Sequence, residues 1–185
     1  GGSCSLYTRE IIYQVNNPQA IKKVELDYAA YDDQMEVYIN PNGSNNLVYR
    51  GPLSTFPFES DGTRNSNVCE LSTHWIWDPH GLHNSEPAFG CTEGSCRYIQ
   101  TNLPAIDITK YFATLMKGSK VKFLLRIAVG GKGEAYAGLR VYYDTSKLVS
   151  EYDDWTPPAC LDTVLSIGDG VAKGTYTCVD MPNVD

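Results

Sequence analysis

The segment from Cys69 to Cys96 concentrates the residue types that bind metals or take part in catalysis. Its 28 residues contain all three histidines, three of the six cysteines and two of the three tryptophans. Imidazole and thiolate groups are the usual ligands of zinc, and imidazole is also the commonest general base. The segment therefore raises three possibilities: a metal site, a catalytic centre, or a disulfide-closed loop that contacts a partner.

The spacing of these residues disfavours a metal. Four residues separate Cys91 from Cys96 and two separate His80 from His83, and neither interval matches the common zinc patterns. In an oxidising compartment the thiols would also be consumed in disulfides. We therefore expect no metal and no other cofactor.

The sequence also shows no recognisable set of residues for nucleophilic or acid–base catalysis. The sequence lacks a G-x-S-x-G motif, and Ser72 and His74 share a strand face without a third member of a triad. Neighbouring carboxylates such as Asp32 and Asp33 point to opposite faces of a strand, so they do not form a hydrolytic pair. We expect a protein that is not an enzyme.

The cysteines themselves predict disulfides. Their number is even and none lies in a C-x-x-C pair, which favours an oxidising compartment. Cys160 and Cys178 bracket a glycine-rich stretch and are predicted to pair. For the other four cysteines the preferred pairs are Cys4–Cys69 and Cys91–Cys96, with Cys69–Cys91 as the alternative.

Charge and hydropathy exclude several classes of partner. The net charge of −7 and the pI near 4.9 argue against binding to nucleic acid or to an anionic membrane surface. No apolar run approaches the roughly 18 residues that a membrane span requires.

The elements that must position these residues are predicted to be strands. Apolar residues alternate with charged ones in KKVELDY (22–28), and QMEVYINPNGSNNLVYRG (34–51) has the pattern strand, turn, strand. The runs KVKFLLRIAVG and AYAGLRVYYD flank a glycine-rich turn at 130–133 and predict another hairpin. One helix is expected in IDITKYFATLMKG (106–118), capped by Asp107 and ended by Gly118.

This pattern favours an all-β sandwich of the jelly-roll type with one short helix and a long disulfide-stapled insertion. The segments D-x-x-E-V-Y-I-N (33–40) and G-x-G-E-A-Y (131–136) also resemble galactose-binding-like jelly rolls. We expect the sandwich to occupy residues 1–150, with recognition loops at about 51–100. Because the composition changes to Asp, Pro and Gly after residue 150, residues 151–185 are expected to form a cysteine-bounded C-terminal extension. That extension would begin a following cysteine-rich region.

Trp75 and Trp77 have the same strand parity and therefore share one face of a strand. Two such side chains are usually buried, and we expect at least one of them in the core. Alternatively they form a sugar-stacking platform, with Asp32 and Asp33 contributing to a calcium site. This alternative predicts a carbohydrate-binding jelly-roll module, whereas a turn between two strands also accounts for both aspartates.

The order of the segments resembles the tip region of the TraN family, the mating-pair stabilisation proteins of F-like conjugative plasmids. The matching segments are YAAYDDQMEVYINPNGSNNLVYRGP, CELSTHWIWDP and NLPAIDITKYFATLMKGSKVKFLLRIAVGGKGEAYAGLRVYYD. The tail WTPPACLDTVLSIGDGVAKGTYTCVDMP is similar to the cysteine-rich stretch that follows this region.

This resemblance implies a non-enzymatic protein of the donor cell's outer membrane, exposed at the cell surface. Its expected partners are an outer-membrane β-barrel protein of the recipient cell and other components of the conjugation apparatus. The segment from Trp75 to Arg97 is the expected variable sensor. The predicted contact residues are His80, Leu82, His83, Asn84, Glu86, Phe89 and Arg97, together with Phe56, Phe58 and Arg64 of a second loop.

Overall fold

The structure is a computed structural model of the 185-residue chain. It describes residues 4–15, 17–65, 69, 71, 74–82, 97–101, 103–131, 133–147, 156–168 and 174–178. In chain order the strands are β1 (Ser5–Val15), β2 (Ile21–Asp32), β3 (Gln34–Asn40), β4 (Asn46–Gly51), β5 (His74–Trp77), β6 (Arg97–Gln100), β7 (Ile106–Asp107), β8 (Ser119–Val129), β9 (Ala135–Tyr143), β10 (Cys160–Ile167) and β11 (Gly174–Thr177).

These strands form two sheets, and the predicted all-β sandwich is confirmed. The smaller sheet has the order β1-β8-β3-β4, and the larger has the order β11-β10-β9-β2-β5-β6. β7 pairs with β2 at Glu25 and Leu26, so β7 and β5 share the same edge of β2. All described pairs are antiparallel except β5 with β6.

The core lies between the sheets and is built by alternation along each strand. Val24 and Leu26 of β2 face Phe123 and Leu125 of β8 in one cluster of buried side chains. A register shift between Leu26 and Tyr28 changes the parity of β2, so that Ala29 and Tyr31 continue the core. The residues between them point to the outer face of the larger sheet.

The hairpin predicted around residues 130–133 is wrong. β8 pairs with β1 and β3 in the smaller sheet, whereas β9 pairs with β2 and β10 in the larger one. The connection therefore crosses from one sheet to the other. Crossing lets the apolar faces of both strands meet across the core, which side-by-side pairing would not do. The other predicted hairpin is confirmed, with the Gly43 amide donating to Asn40 Oδ1 at 2.6 Å in its turn.

The helix predicted over 106–118 is a single 3-10 turn at Thr109–Tyr111 that follows β7. Thr109 ties this segment to the larger sheet, because its Oγ1 accepts the Val24 amide hydrogen at 2.9 Å. Asp107 accepts the Thr109 amide hydrogen at 2.9 Å, and Phe112 is buried in the core. These contacts with the sheet replace the local hydrogen bonds of a helix. Within the described residues, no helix is long and apolar enough to cross a membrane.

Two of the predicted disulfides are present and the third lies outside the described residues. Cys4 is bonded to Cys69 and Cys160 to Cys178, with Cα atoms 5.5 and 5.4 Å apart. The first bond excludes the alternative Cys69–Cys91 pair. Residues Cys91 and Cys96, predicted to pair with each other, are outside the described part of the chain.

The chain after residue 150 continues the sandwich where it is described. β10 pairs with β9 along its whole length, from Cys160 opposite Tyr142 to Ile167 opposite Ala135. β11 then pairs with β10. The expected division at residue 150 therefore does not coincide with a break in the larger sheet, because hydrogen-bonded strands lie on both sides of it.

Candidate functional site

Among the described strands that follow one another directly in the chain and pair in the larger sheet, β5 and β6 have the longest connection. The two strands run parallel, with His74 opposite Arg97 and Trp77 opposite Gln100. A parallel pair requires a crossover, because the chain must return to the end at which the first strand began. The 19 residues between Trp77 and Arg97 make this return. They include most of the residues predicted to contact a receptor.

The first turn of this connection is pinned to the sheet. The Asp78 amide donates to the Gln100 carbonyl at 2.8 Å, and the Asp78 carbonyl accepts the Gly81 amide hydrogen at 2.9 Å. Asp78 is fully buried, and its Oδ1 accepts the Leu82 amide hydrogen at 3.0 Å. Gly81 has a φ of 71°, which favours glycine. Residues 78–82 are therefore held in one conformation against β6.

His80 fixes the same turn to β2. Its Nε2 lies 2.8 Å from Glu25 Oε2, and its side chain is 19% exposed. Glu25 also forms an ion pair with Lys23 at 2.9 Å and accepts a hydrogen bond from the Tyr142 hydroxyl at 3.3 Å. Burial alone would raise the pKa of the Glu25 carboxyl, but Lys23 and His80 hold it below its ordinary value. The predicted contact residue His80 is thus directed toward the sheet.

A second buried carboxylate lies beside this contact. Asp27 is 2% exposed, and its Oδ2 is 3.3 Å from Arg140 Nε. Arg140 is itself held by Asp162, to which Nε and Nη2 each donate at 2.7 Å. Burial raises the pKa of the Asp27 carboxyl to about 8, although the positive charge of Arg140 opposes the shift. The outer face of the larger sheet thus carries a buried charged cluster, consisting of Lys23, Glu25, Asp27, Asp78, His80, Arg140 and Asp162.

Only part of the predicted contact set lies in the described chain. Leu82 is half-buried at the end of the pinned turn. The backbone of Arg97 begins β6, but its side chain is outside the described part. The remaining predicted contacts in this connection also lie outside the described residues: His83, Asn84, Glu86 and Phe89.

The second predicted contact loop is buried at its two phenylalanines. Phe56 and Phe58 are 6% and 9% exposed and pack with Ala128 and the Cys4–Cys69 disulfide. These two predicted contact residues therefore cover the outer face of the smaller sheet and are buried there. Arg64 is exposed, and its backbone pairs with that of Phe58.

Beneath this loop, a charged network lines a pocket of about 320 Å³. Glu36 is 1% exposed, and its Oε1 accepts a hydrogen bond from Arg126 Nη1 at 2.8 Å. Its Oε2 accepts another from Arg50 Nε at 2.8 Å. The Arg126 guanidinium also lies over the Phe56 ring, 5.1 Å from its centre. Both carboxylate oxygens of Glu36 are therefore engaged, which indicates that this network holds the loop in place.

The described parts of the two predicted loop regions lie on different faces of the sandwich. Phe56 and Phe58 pack against Ala128, which alternates with the core residues of β8 and so lies on the outer face of the smaller sheet. His80 contacts Glu25, which alternates with the core residues of β2 and lies on the outer face of the larger sheet. The outer faces of a sandwich point in opposite directions.

The face expected for a calcium-dependent sugar site is not assembled. Trp77 is 6% exposed and packs on Tyr49 in the core, with ring centres 4.9 Å apart, so the prediction that at least one tryptophan is buried is confirmed. Asp33 uses both oxygens to accept hydrogen bonds from the amides of Leu71 and Gly130. Asp32 points elsewhere, toward His74 at 3.8 Å. This arrangement matches the turn that was the other interpretation of the two aspartates.

The sequence did not point to the buried charged cluster. Glu25 and Asp27 alternate with Val24 and Leu26, a pattern that normally marks a solvent-exposed strand face. A cation opposite an acidic residue on a neighbouring strand, such as Arg140 opposite Glu25, could have indicated a buried charged cluster. Such a pair can be recognised only when the register of the two strands is known.

Comparison with known protein families, with curated proteins and with solved structures finds no match to this chain. Inferences about its function therefore rest on its sequence and on the geometry of its own residues.

Proposed function

We propose that this chain is the tip domain of a TraN-like mating-pair stabilisation protein in the outer membrane of a Gram-negative donor cell. The tip recognises an outer-membrane β-barrel protein of the recipient cell, and it does so by binding and without catalysis. The ordered resemblance of the segments from Tyr28 onward supports the family assignment.

The observation that carries the proposal is the connection between β5 and β6. Nineteen residues join two adjacent parallel strands of four residues each. Connections longer than about 12–15 residues are uncommon in compact domains, and binding loops are one of the classes in which they occur. The residues that would recognise a partner are concentrated in this connection, among them an apolar anchor at Phe89 and polar groups at Asn84 and Glu86.

The way the connection leaves the sheet also supports a recognition role. Asp78 and His80 fix its first turn to β6 and β2, and the Cys4–Cys69 disulfide ties the chain just before β5 to the start of β1. A binding segment whose base is already ordered loses less conformational entropy when it meets a partner. In this proposal His80 is an anchor of the segment, and contact is made by residues beyond Leu82.

The experiment replaces residues 83–89 by a Gly-Ser segment of equal length and leaves residues 78–82 intact. Transfer into recipients that carry the receptor is expected to fall by at least about tenfold, because losing an interface anchor costs more than about 1.4 kcal/mol. The measured quantity is the frequency of plasmid transfer per donor cell after mating in liquid.

A matched control makes the same kind of replacement at residues 60–63, which are exposed in the second loop. This control is expected to transfer normally, since those residues lie on the opposite sheet. Equal transfer by the 83–89 variant and the unmodified donor would refute the assignment of recognition to this connection.

A further inference from the structure

The buried charged cluster on the outer face of the larger sheet brings three potential metal ligands together. Glu25, Asp27 and His80 each present one ligand atom, and these atoms lie within 4.8 Å of one another. Glu25 and Asp27 come from β2, whereas His80 comes from the turn after β5. Two carboxylates and one imidazole from two separate elements thus lie close together.

One oxygen of the buried Asp27 carboxylate accepts no hydrogen bond. This atom, Oδ2, is buried and has no hydrogen-bond partner. Arg140 Nε lies 3.3 Å from it and forms an ion pair, but both of the short hydrogen bonds from this guanidinium go to Asp162. Buried carboxylate oxygens without a hydrogen bond are rare, because their desolvation is incompletely compensated. Asp27 Oδ2 therefore has a lone-pair position at which no hydrogen-bond donor is placed.

Carboxylates predominate around this point. Asp27 lies in the field of Glu25, Asp78 and Asp162, which gives four carboxylates in all. Lys23, at 2.9 Å from Glu25, and Arg140 are cations in contact with them, and His80 pairs with Glu25. A divalent cation would add positive charge beside these carboxylates in a largely buried region.

From these observations we propose that Glu25, Asp27 and His80 bind a divalent transition-metal ion of the zinc or manganese class. Calcium and magnesium favour sites made of oxygen ligands, whereas an imidazole nitrogen beside carboxylates suits zinc and manganese. The site uses none of the cysteines whose spacing argued against zinc. Bound metal would link β2 to the turn after β5 in place of the His80–Glu25 hydrogen bond. The proposal stands independently of receptor recognition.

Calorimetric titration of the chelator-treated full chain with ZnCl2, MnCl2 and CaCl2 tests the site. We expect one zinc or manganese ion per chain, bound more tightly than calcium. Asp27→Asn and His80→Ala are each expected to weaken binding by about tenfold or more, since even residues that only support a metal ligand have effects of this size. His74→Ala is the matched control, because His74 lies near Asp32 and outside the cluster; it should bind metal as the unmodified chain does.

Three outcomes would overturn the proposal: no binding of zinc or manganese, tighter binding of calcium, or unchanged affinity in both Asp27→Asn and His80→Ala. Cobalt(II) gives a second measurement if Asp27→Asn does not fold. Its visible absorption bands should appear in the unmodified chain and in His74→Ala and should be lost in His80→Ala. Retention of those bands in a folded His80→Ala variant would also overturn the assignment.

Discussion

Asp33 holds the corner between β2 and β3 and joins two other parts of the chain to it. It is 3% exposed and has a φ of 63°. Its Oδ1 accepts the Leu71 amide hydrogen at 2.7 Å, and its Oδ2 accepts that of Gly130 at 2.9 Å. Replacing Asp33 by alanine removes both acceptors, so we expect a large loss of stability.

The size of this loss follows from the contacts. A hydrogen bond to a charged group contributes about 1.5–3 kcal/mol, and two at the lower limit give about 3 kcal/mol. Alanine in the left-handed region costs about 1 kcal/mol more, which brings Asp33→Ala to about 4 kcal/mol. Asp33→Asn keeps one acceptor and tolerates the same φ, so we expect it to lower the free energy of unfolding by about 1.5 kcal/mol. Asp32→Ala is the control, at less than about 1 kcal/mol, because the Asp32 side chain is 29% exposed.

Urea unfolding monitored by tryptophan fluorescence, with disulfides intact, measures these free energies. Each protein is unfolded in chelator and in millimolar calcium. We expect the order Asp33→Ala, Asp33→Asn, Asp32→Ala in both conditions. A loss below about 1 kcal/mol for Asp33→Ala would refute the hydrogen-bond account, since it falls below the value of one such bond. If added calcium instead stabilised the unmodified chain but not Asp33→Ala, the aspartate would be a calcium ligand.

Two further predictions concern the core and the smaller sheet, and the same unfolding assay measures both. Trp77→Ala should lower the free energy of unfolding by about 3–5 kcal/mol, because its ring is buried. Trp75→Ala should lower it less, because its ring is half-buried. Equal losses for the two variants would contradict the assigned burial. Glu36→Ala should cost about 3–5 kcal/mol, because it leaves the Arg126 guanidinium, 5% exposed, without its carboxylate. Glu36→Leu combined with Arg126→Met should recover most of that loss, and a double variant less stable than Glu36→Ala would contradict the explanation.

The sequence predicted those features of the fold that depend on local patterns. Alternation along β2 indicated a strand with one apolar face, and an Asn-rich turn indicated the hairpin between β3 and β4. The parity of Trp75 and Trp77 indicated a shared face, of which Trp77 is in the core. These features were predictable because the side-chain period of a strand is fixed by backbone geometry.

Features that depend on distant partners could not be predicted in this way. The glycine-rich link at 130–133 is compatible with a hairpin or with a crossing between sheets, and only the pairing of β8 with β1 and β3 distinguishes them. Similarly, Thr109 was assigned to a helix because its contact with Val24, 85 residues away in sequence, is not visible locally. Tertiary contacts override local propensity at both places.

Several side chains of the candidate site have contacts that the local sequence does not show. The segment after β5 was identified from its composition, whereas Phe56 and Phe58 were assigned to a contact surface because their burial depends on Ala128 of β8. His80 was assigned to contact because Glu25, its partner, is 55 residues earlier in the sequence. A polar or aromatic residue in a loop can face a partner or its own sheet, and local pattern alone does not distinguish the two.

Binding of the purified domain to intact recipient cells tests the central claim most directly. Fluorescently labelled domain is added to recipients that each lack one abundant outer-membrane β-barrel protein, and bound fluorescence is measured by flow cytometry. We predict that binding is lost in the strain lacking one such protein and returns when that protein is restored. The same loss is predicted on unmodified cells when residues 83–89 are replaced by Gly-Ser. Equal binding by all recipient strains, or unchanged binding of the 83–89 variant, would contradict the account.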